Sequence, residues 1–318
     1  MTGQGVHLGV VMDPIAGIKT YKDSTFAMLL EAERRGWRIS YMEQGDLWLS
    51  DGVARGRMRS LSVRDEKLDF ATLGNTRTAD LSELDVILMR KDPPFDMEYV
   101  YTTYILQRAE DAGVRVVNAA TALRDVSEKA YVAWFADFCP PTLISRSQEI
   151  MRSFLREHGK IVVKPMDGMG GKSIFVIEDG EANGNVIIET ITDNGKRFAT
   201  AQAFIPEIRE SGDKRILLID GEPVPYVLAR IPPAGDHRGN LAVGGRAEGR
   251  ELTARDREIC ATVGPVLAAK GVMFAGIDVI GDYLTEVNVT SPTGIRELDS
   301  LFELNISGIL MDRIESGA

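Results

Sequence analysis

Three oxygen-bearing side chains near the C-terminus, Asp278, Glu286 and Asn288, have the types and spacing of a magnesium site. Glu286 and Asn288 are two residues apart, so on a strand they share a face. A three-residue connection over Gly281, Asp282 and Tyr283 places Asp278 opposite Glu286. The same connection leaves Ile277, Val279, Val287 and Val289 together on the other face, whereas a two-residue connection would mix acids with core residues. The apolar pattern therefore selects the odd-length loop and gathers three oxygen donors on one exposed face. Hard oxygen ligands without His or Cys suit magnesium shared with phosphates. A solvated polar strand face has the same composition, so neighbouring segments must decide.

Upstream, Asp220-Gly221 is a two-residue hairpin signal between strands expected over 214–219 and 224–231. Its register pairs Arg215 with Tyr226 and, by alternation, puts Arg215 on the face of Leu228 and Arg230. Two guanidinium groups then project from one side. The stretch Asp167-Gly-Met-Gly-Gly-Lys-Ser173 ends like a phosphate-binding P-loop, but the required first glycine is Met166 and the loop leads into a strand rather than a helix. What remains is a backbone-rich loop able to cover phosphates with N–H groups. Met12-Asp13-Pro14 and Met89-Arg-Lys-Asp-Pro-Pro-Phe-Asp96 each follow a strand end, where ligands of open parallel sheets bind.

The elements that must hold these groups follow from periodicity. Strands over 7–12, 38–41, 85–89 and 115–117, with helices carrying Phe26, Leu29, Leu30 and Tyr101, Tyr104, Ile105, Ala109, read as a parallel α/β unit over residues 1–120. A helix from about Thr121 through Trp134 stops at Pro140-Pro141 and opens a compact α+β unit over 121–200, with strands at 161–164 and 173–177. Residues 201–318 supply the hairpins, a helix from Thr253 and C-terminal helices. The glycine-rich 232–249 reads as a long loop, and its part 232–245, with Arg238, Gly239 and Asn240 near the middle, as a lid.

With 318 residues, 44% of them apolar, the chain can bury a sizeable core. Its net charge of −10 and pI near 5.0 argue against sequence-independent nucleic-acid binding. Apolar runs such as 86–89 and 216–219 fall far short of the roughly 20 residues that span a bilayer. The N-terminus carries no basic leader, so a cytoplasmic protein with no membrane partner is expected. Two cysteines and three scattered histidines offer neither a disulfide framework nor zinc-ligand spacing.

Taken together, VVMDPI, VILMRKDPPFD, KPMDGMGG, GDKRILLIDGEPVPYVLARIP, RGNLAVGGR and GIDVIGDYLTEVNVTSPTGIRE resemble the bacterial glutathione synthetases, carboxylate–amine ligases of the ATP-grasp superfamily. The resemblance is weakest over 50–82 and 178–196. It implies an α/β and α+β multidomain protein: an ATP-grasp fold behind an N-terminal parallel, Rossmann-like domain. The implied reaction joins glycine to the cysteinyl carboxylate of γ-glutamylcysteine through an acyl phosphate, consuming ATP with magnesium or manganese. Carried over residue by residue, Lys129 and Lys164 contact ATP phosphates beneath Gly168, Met169, Gly170 and Gly171. Gln202, Ala203, Phe204 and Ile205 form the hinge that reads adenine, and Asp213 is a ribose contact or a nearby polar contact. Asp278, Glu286 and Asn288 hold the metal, Arg215 and Arg230 are catalytic, and Asp13, Arg90 and Ser291 lie near the dipeptide. A homo-oligomer is expected. Another ATP-grasp peptide or glutamate-tail ligase is the alternative enzyme, and a regulator that binds nucleotide without catalysis is the alternative outside enzymes. The five charged or metal-binding positions such a regulator would have lost are all present.

Overall fold

The computed structural model describes residues 5–171, 173–233 and 246–317. Three sheets succeed one another along the chain. The first holds β1 (His7–Met12), β2 (Arg38–Met42), β3 (Leu47–Ser50), β4 (Val53–Val63), β5 (Ala71–Asp80), β6 (Val86–Arg90) and β7 (Arg115–Val117). β1, β2, β6 and β7 are parallel, as the alternating pattern requires. The sheet as a whole is mixed, because β3, β4 and β5 add an antiparallel extension in the stretch where the sequence was least informative. β4 explains that silence: buried and exposed residues alternate along it and it carries four arginine or serine side chains between Arg55 and Ser60, so no continuous apolar run marks it.

Helices α1 (Ser24–Arg34) and α2 (Met97–Asp111) are capped by Asp23 and Asp96, whose carboxylates accept from Phe26 and Tyr99 backbone N–H groups. On α2 the buried face runs through Tyr99, Thr103, Leu106 and Ala109, while the expected Tyr101 and Tyr104 face solvent. The short α3 (Ala120–Asp125) ends well before the expected helix would. A turn at 127–130 follows, then a 3₁₀ segment Tyr131–Phe138 on which Trp134 is 68% exposed. The break has a visible cause, since the Glu128 carbonyl leaves helical pairing to accept from the Val287 N–H at 3.1 Å.

The middle sheet is antiparallel, in the order β10 (Phe175–Glu178), β9 (Lys160–Pro165), β11 (Ala199–Ala203), β8 (Thr142–Ser145), backed by α4 (Gln148–His158) and α5 (Gly184–Ile191). Met151, Leu155, Ile161, Val163, Ile177 and Ile188 give it a core of its own. The third sheet is also antiparallel: β12 (Asp213–Ile219), β13 (Glu222–Pro223), β14 (Tyr226–Ile231), β15 (Arg246–Glu251), β16 (Phe274–Ile280) and β17 (Tyr283–Asn288). Residues 246–249, expected in a loop, belong to β15 and pair with β14. α6 (Ala254–Ala269), α7 (Ile295–Phe302) and α8 (Ile306–Ser316) complete the chain.

The first and third sheets share a core in which Leu8, Val10, Phe26 and Tyr41 join Leu217, Leu228, Phe274, Ile306 and Leu310. Asn118 locks the two sheets with all four of its side-chain bonds satisfied: its Nδ2 donates to the Phe274 and Val289 carbonyls at 2.7 Å, and its Oδ1 accepts from Met273 and Phe274 at 2.8 Å. At the α1–α8 seam, Glu31 accepts from Arg34 and Arg35, and Arg35 reaches Gly308 O, Asp312 and Glu315. The Arg34 hydrogen bonds outweigh burial and, with Arg35 and Asn305, lower the Glu31 carboxyl to about 2. A depressed acid contributes stability that is complete above its unfolded value, near 4.5, and is lost as the pH falls toward 2. Glu31→Gln should therefore lower the urea midpoint at pH 7 and flatten its fall between pH 4.5 and 2; an unchanged acid slope would refute this seam's role.

Candidate active site

Between the middle and third sheets lies a cavity of about 790 Å³. Its wall gathers Lys129, Lys164, Gly168, Met169, Gly170, Gly171, Gln202, Ala203, Phe204, Ile205, Asp213, Arg215, Arg230, Asp278, Glu286 and Asn288. Residues as far apart in the chain as Lys129 and Asn288 thus meet because two antiparallel sheets face each other across it.

The β16–β17 hairpin pairs Asp278 with Glu286, Ile277 with Val287 and Gly276 with Asn288. The route differs from the expected one. The turn has two residues, Gly281 and Asp282, and an irregularity after Asp278 leaves Thr285 as the extra residue that restores parity. The carboxyl pair is therefore as expected, although Asp278 is buried rather than exposed. Burial alone would raise its pKa; the Arg215 and Arg230 guanidiniums outweigh that and hold it well below the usual range. Arg215 grips it with Nε at 2.6 Å and Nη2 at 3.1 Å, and Arg230 Nη2 lies 3.0 Å away while also pairing with Asp213.

The register of these arginines is a second correction. Asp220 and Gly221 form the expected turn, both at positive φ, and pair Ile219 with Glu222. Further along, however, Arg215 pairs with Leu228, not Tyr226. Two extra residues are taken up around Val224-Pro225, where proline has no N–H to give the ladder. An even shift preserves parity, so Arg215 and Arg230 still share a face. Gly276 makes room for them: a Cβ there would sit 2.8 Å from Arg215 Cδ.

Asn288 Nδ2 donates to Asp278 Oδ2 at 3.2 Å, and the register sets Glu286 opposite Asp278, so the three side chains are neighbours. Glu286 meets Lys129 at 2.9 Å. This donor set, all oxygen and flanked by cations that would otherwise face phosphates, fits a magnesium-type ion. Buried Asp213 Oδ1 has no hydrogen-bond partner among the described residues, and burial pushes that carboxyl's pKa up.

Lys129 Nζ also donates to Gly168 O at 2.5 Å, tying the glycine loop to the β16–β17 hairpin through Glu286. Lys164 Nζ donates to Gln202 Oε1 at 2.9 Å, and burial lowers its pKa. Gly170 and Gly171 adopt positive φ, so the loop turns sharply over the lysines. At the far end, Lys160 Nζ sits 4.9 Å over the Phe204 ring, beside the hinge of residues 202–205.

The third group lies apart from this cavity, where β1 and β6 end. Asp13 accepts from the Asp92 N–H at 3.0 Å and pairs with Lys91 at 2.9 Å; Ser291 bonds Asp92; buried Arg90 donates to Thr25 Oγ1 at 3.0 Å and Pro292 O at 2.9 Å. Asp13, Arg90 and Ser291 are thus brought into one neighbourhood. Arg238, Gly239 and Asn240 lie outside the described residues.

The whole arrangement matches known protein families over nearly its full length. Residues 6–124 match the prokaryotic glutathione synthetase N-terminal domain and residues 128–303 the prokaryotic glutathione synthetase ATP-grasp domain. The chain belongs to the prokaryotic glutathione synthetase family. Glutathione synthetase of Yersinia pestis is 55% identical over 311 residues, covering 98% of this chain and 97% of that one; the Escherichia coli K12 enzyme is 52% identical over 98% of both. Among solved structures, D-cycloserine synthetase DcsG superposes with a TM-score of 0.66 at 16% identity, over 96% of this chain and 99% of its own. The ATP-grasp ligase PsnB, solved with a minimal precursor, Mg and ADP, gives 0.61 at 17% identity over 97% of each chain. At such identities these two show the fold alone, and the fold is ATP-grasp.

For this glutathione synthetase family member, sequence reasoning missed Glu128, Asp92 and Lys160. Glu128 and Lys160 line the cleft and Asp92 binds Ser291. Asp92 stood within the quoted MRKDPPFD, but nothing in that stretch separates its carboxylate from Asp96, which caps α2. Glu128 stood beside Lys129 with no pattern of its own. Among the described residues no helix is long and apolar enough to cross a membrane.

Proposed function

We propose that the cleft between the middle and third sheets binds ATP with magnesium, or manganese in its place, and that this chain makes glutathione there as an ATP-grasp ligase. The observation that carries this reading is the convergence of Arg215 and Arg230 on Asp278, beside Glu286 and Asn288, at the end of a cleft that Lys129 and Lys164 also line. Asp278, Glu286 and Asn288 would hold the metal, which when bound neutralises charge on the phosphate oxygens. Lys129, Lys164 and the loop Gly168 to Gly171 position the phosphates, the segment Gln202 to Ile205 receives adenine, and the unpartnered Asp213 oxygen accepts from a nearby hydroxyl.

The cysteinyl carboxylate of γ-glutamylcysteine attacks the γ-phosphorus, ADP leaves, and an acyl phosphate forms. The amine of glycine, having lost a proton, adds to the acyl carbon, and the tetrahedral intermediate collapses with loss of phosphate. Arg215 and Arg230 face negative charge that grows on the transferred phosphoryl group and on the tetrahedral oxygen. Positioning and charge neutralisation carry such a reaction, which accounts for a cleft whose described lining holds no histidine. Asp13, Arg90 and Ser291 are assigned to the dipeptide side, and the same reading includes self-association into a homo-oligomer.

The deciding experiment is ADP release with each component omitted in turn. ADP should appear only with ATP, the metal and γ-glutamylcysteine present, and glutathione only when glycine is added. Equal turnover with D-alanine or free glutamate in place of the dipeptide would overturn the assignment in favour of another ligase.

A further inference from the structure

One half-buried carboxylate plays no part in that scheme, yet it touches both halves of the site. Glu128 sits in the turn between α3 and the 3₁₀ segment, and its Oε1 accepts three hydrogen bonds: from Val289 N at 3.0 Å, Thr290 N at 3.1 Å and Thr290 Oγ1 at 2.8 Å. Its own carbonyl accepts from Val287 N at 3.1 Å, between the two oxygen donors of β17. The next residue, Lys129, holds Glu286 and Gly168 O. Two consecutive residues therefore bracket the end of β17 from one side.

The segment beyond β17 has no ladder of its own. Residues 289–293 are suspended by side chains instead: Val289 and Thr290 by Glu128, Ser291 by Asp92, the Pro292 carbonyl by Arg90 at 2.9 Å and the Thr293 carbonyl by Arg215 at 3.2 Å. These anchors come from the first sheet, the third sheet and the turn between them. Of these anchors, Glu128 and Arg215 also line the cleft. A single oxygen that satisfies two consecutive backbone N–H groups fixes the direction in which the chain leaves the strand, and so the place of Ser291.

We propose that Glu128 is a positioning residue: its carboxylate oxygen sets the path of residues 289–292 and so the acceptor side of the site relative to the nucleotide side. This rests on the ligase reading above. The role requires an acceptor oxygen at that point rather than a charge, which separates it from general electrostatics. Glutamine can supply the same oxygen to the same three donors, and alanine cannot.

The test uses the full chain and three readouts: KM for γ-glutamylcysteine, ADP formed per glutathione, and equilibrium affinity for the non-hydrolysable analogue AMPPNP. Glu128→Ala should raise the dipeptide KM about tenfold or more and push ADP per glutathione above one, because a displaced acceptor lets water compete, with AMPPNP affinity changed by less than about threefold. Glu128→Gln should restore most of both losses. Thr290→Val removes only the hydroxyl donor at similar volume, so it should raise the dipeptide KM by about two- to threefold without altering AMPPNP affinity, even if the alanine variant fails to fold. A glutamine variant as impaired as alanine, or a Thr290→Val protein with an unchanged dipeptide KM, would overturn the proposal. A wild-type chain that releases no ADP with the dipeptide would instead remove the ligase reading itself.

Discussion

Arg230→Ala is expected to lower turnover about 100-fold or more while leaving nucleotide affinity within a few-fold, because a preorganised donor aimed at developing charge contributes mainly in the transition state. Arg230 is buried at the centre of the charge network, with Asp213 and Asp278 both within ion-pair distance. Burial works against its charge, but those two carboxylates outweigh it, so the guanidinium stays protonated throughout the working pH range. The residue is expendable for folding to a useful degree, since Arg215 alone still holds Asp278 through two hydrogen bonds. Asp213, which loses its ion pair with Arg230, can take up water or a proton. Arg230→Lys offers a contrast: one ammonium cannot reach both carboxylates with the planar fork of arginine, so it should recover only part of the rate. Rapid-quench measurement of the chemical step should show the loss there. An alanine variant with normal kcat and a raised KM for ATP would place Arg230 in ground-state binding instead.

The site was more legible in the sequence than the path of the chain through it, and parity is the reason. Facing in a strand depends only on whether an offset is odd or even. The β16–β17 turn is one residue shorter than the core pattern demanded, yet an extra residue at Thr285 restored the pairing of Asp278 with Glu286. Between β12 and β14 the register moved by two, and Arg215 and Arg230 kept their common face. The apolar pattern constrains faces, so errors of local count were absorbed without disturbing which side chains meet. Burial was harder to see. Asp278 reads as an exposed acid because nothing in its own strand announces that two guanidiniums from neighbouring strands will close over it.

Where the sequence failed, the determining contact was long-range. The helix expected through Trp134 is broken by the pairing of the Glu128 carbonyl with β17, some 160 residues away. The extension over β3 to β5 is rich in polar residues and joins the rest of the first sheet through the pairing of β4 with β2, so no single-strand pattern reveals it. The same holds for residues 289–293, which are held by side chains from Asn118, Glu128, Asp92, Arg90 and Arg215, all distant in sequence.

Asp278→Asn should be the most damaging conservative change in the protein, and its damage should be partly reversible in a way that separates stability from catalysis. The side chains of Asp278, Arg215 and Arg230 are only 5%, 8% and 10% exposed. Removing the carboxylate's charge leaves two guanidiniums close together, with Asp213 in ion-pair contact with Arg230 and Glu286 more distantly to compensate. Deleting one partner of such a buried pair typically costs about 3–5 kcal/mol, most of it the penalty of the charge left behind. The asparagine variant should therefore show a markedly lower urea midpoint as well as a loss of metal-dependent turnover. Adding Arg215→Met removes the charge that has lost its partner at similar length, so the double variant should be more stable than Asp278→Asn alone, although two mutations are normally worse than one. Turnover should not return, because both a metal ligand and a phosphoryl-facing cation are then gone. The coupling energy from this cycle, measured as the departure from additivity in unfolding free energy, should be about 2 kcal/mol or more for residues in direct contact. Strictly additive effects would mean that solvent already screens the two arginines and that Asp278 acts on the metal alone, and a double variant with restored turnover would refute the assignment of Arg215 and Asp278 to the chemistry.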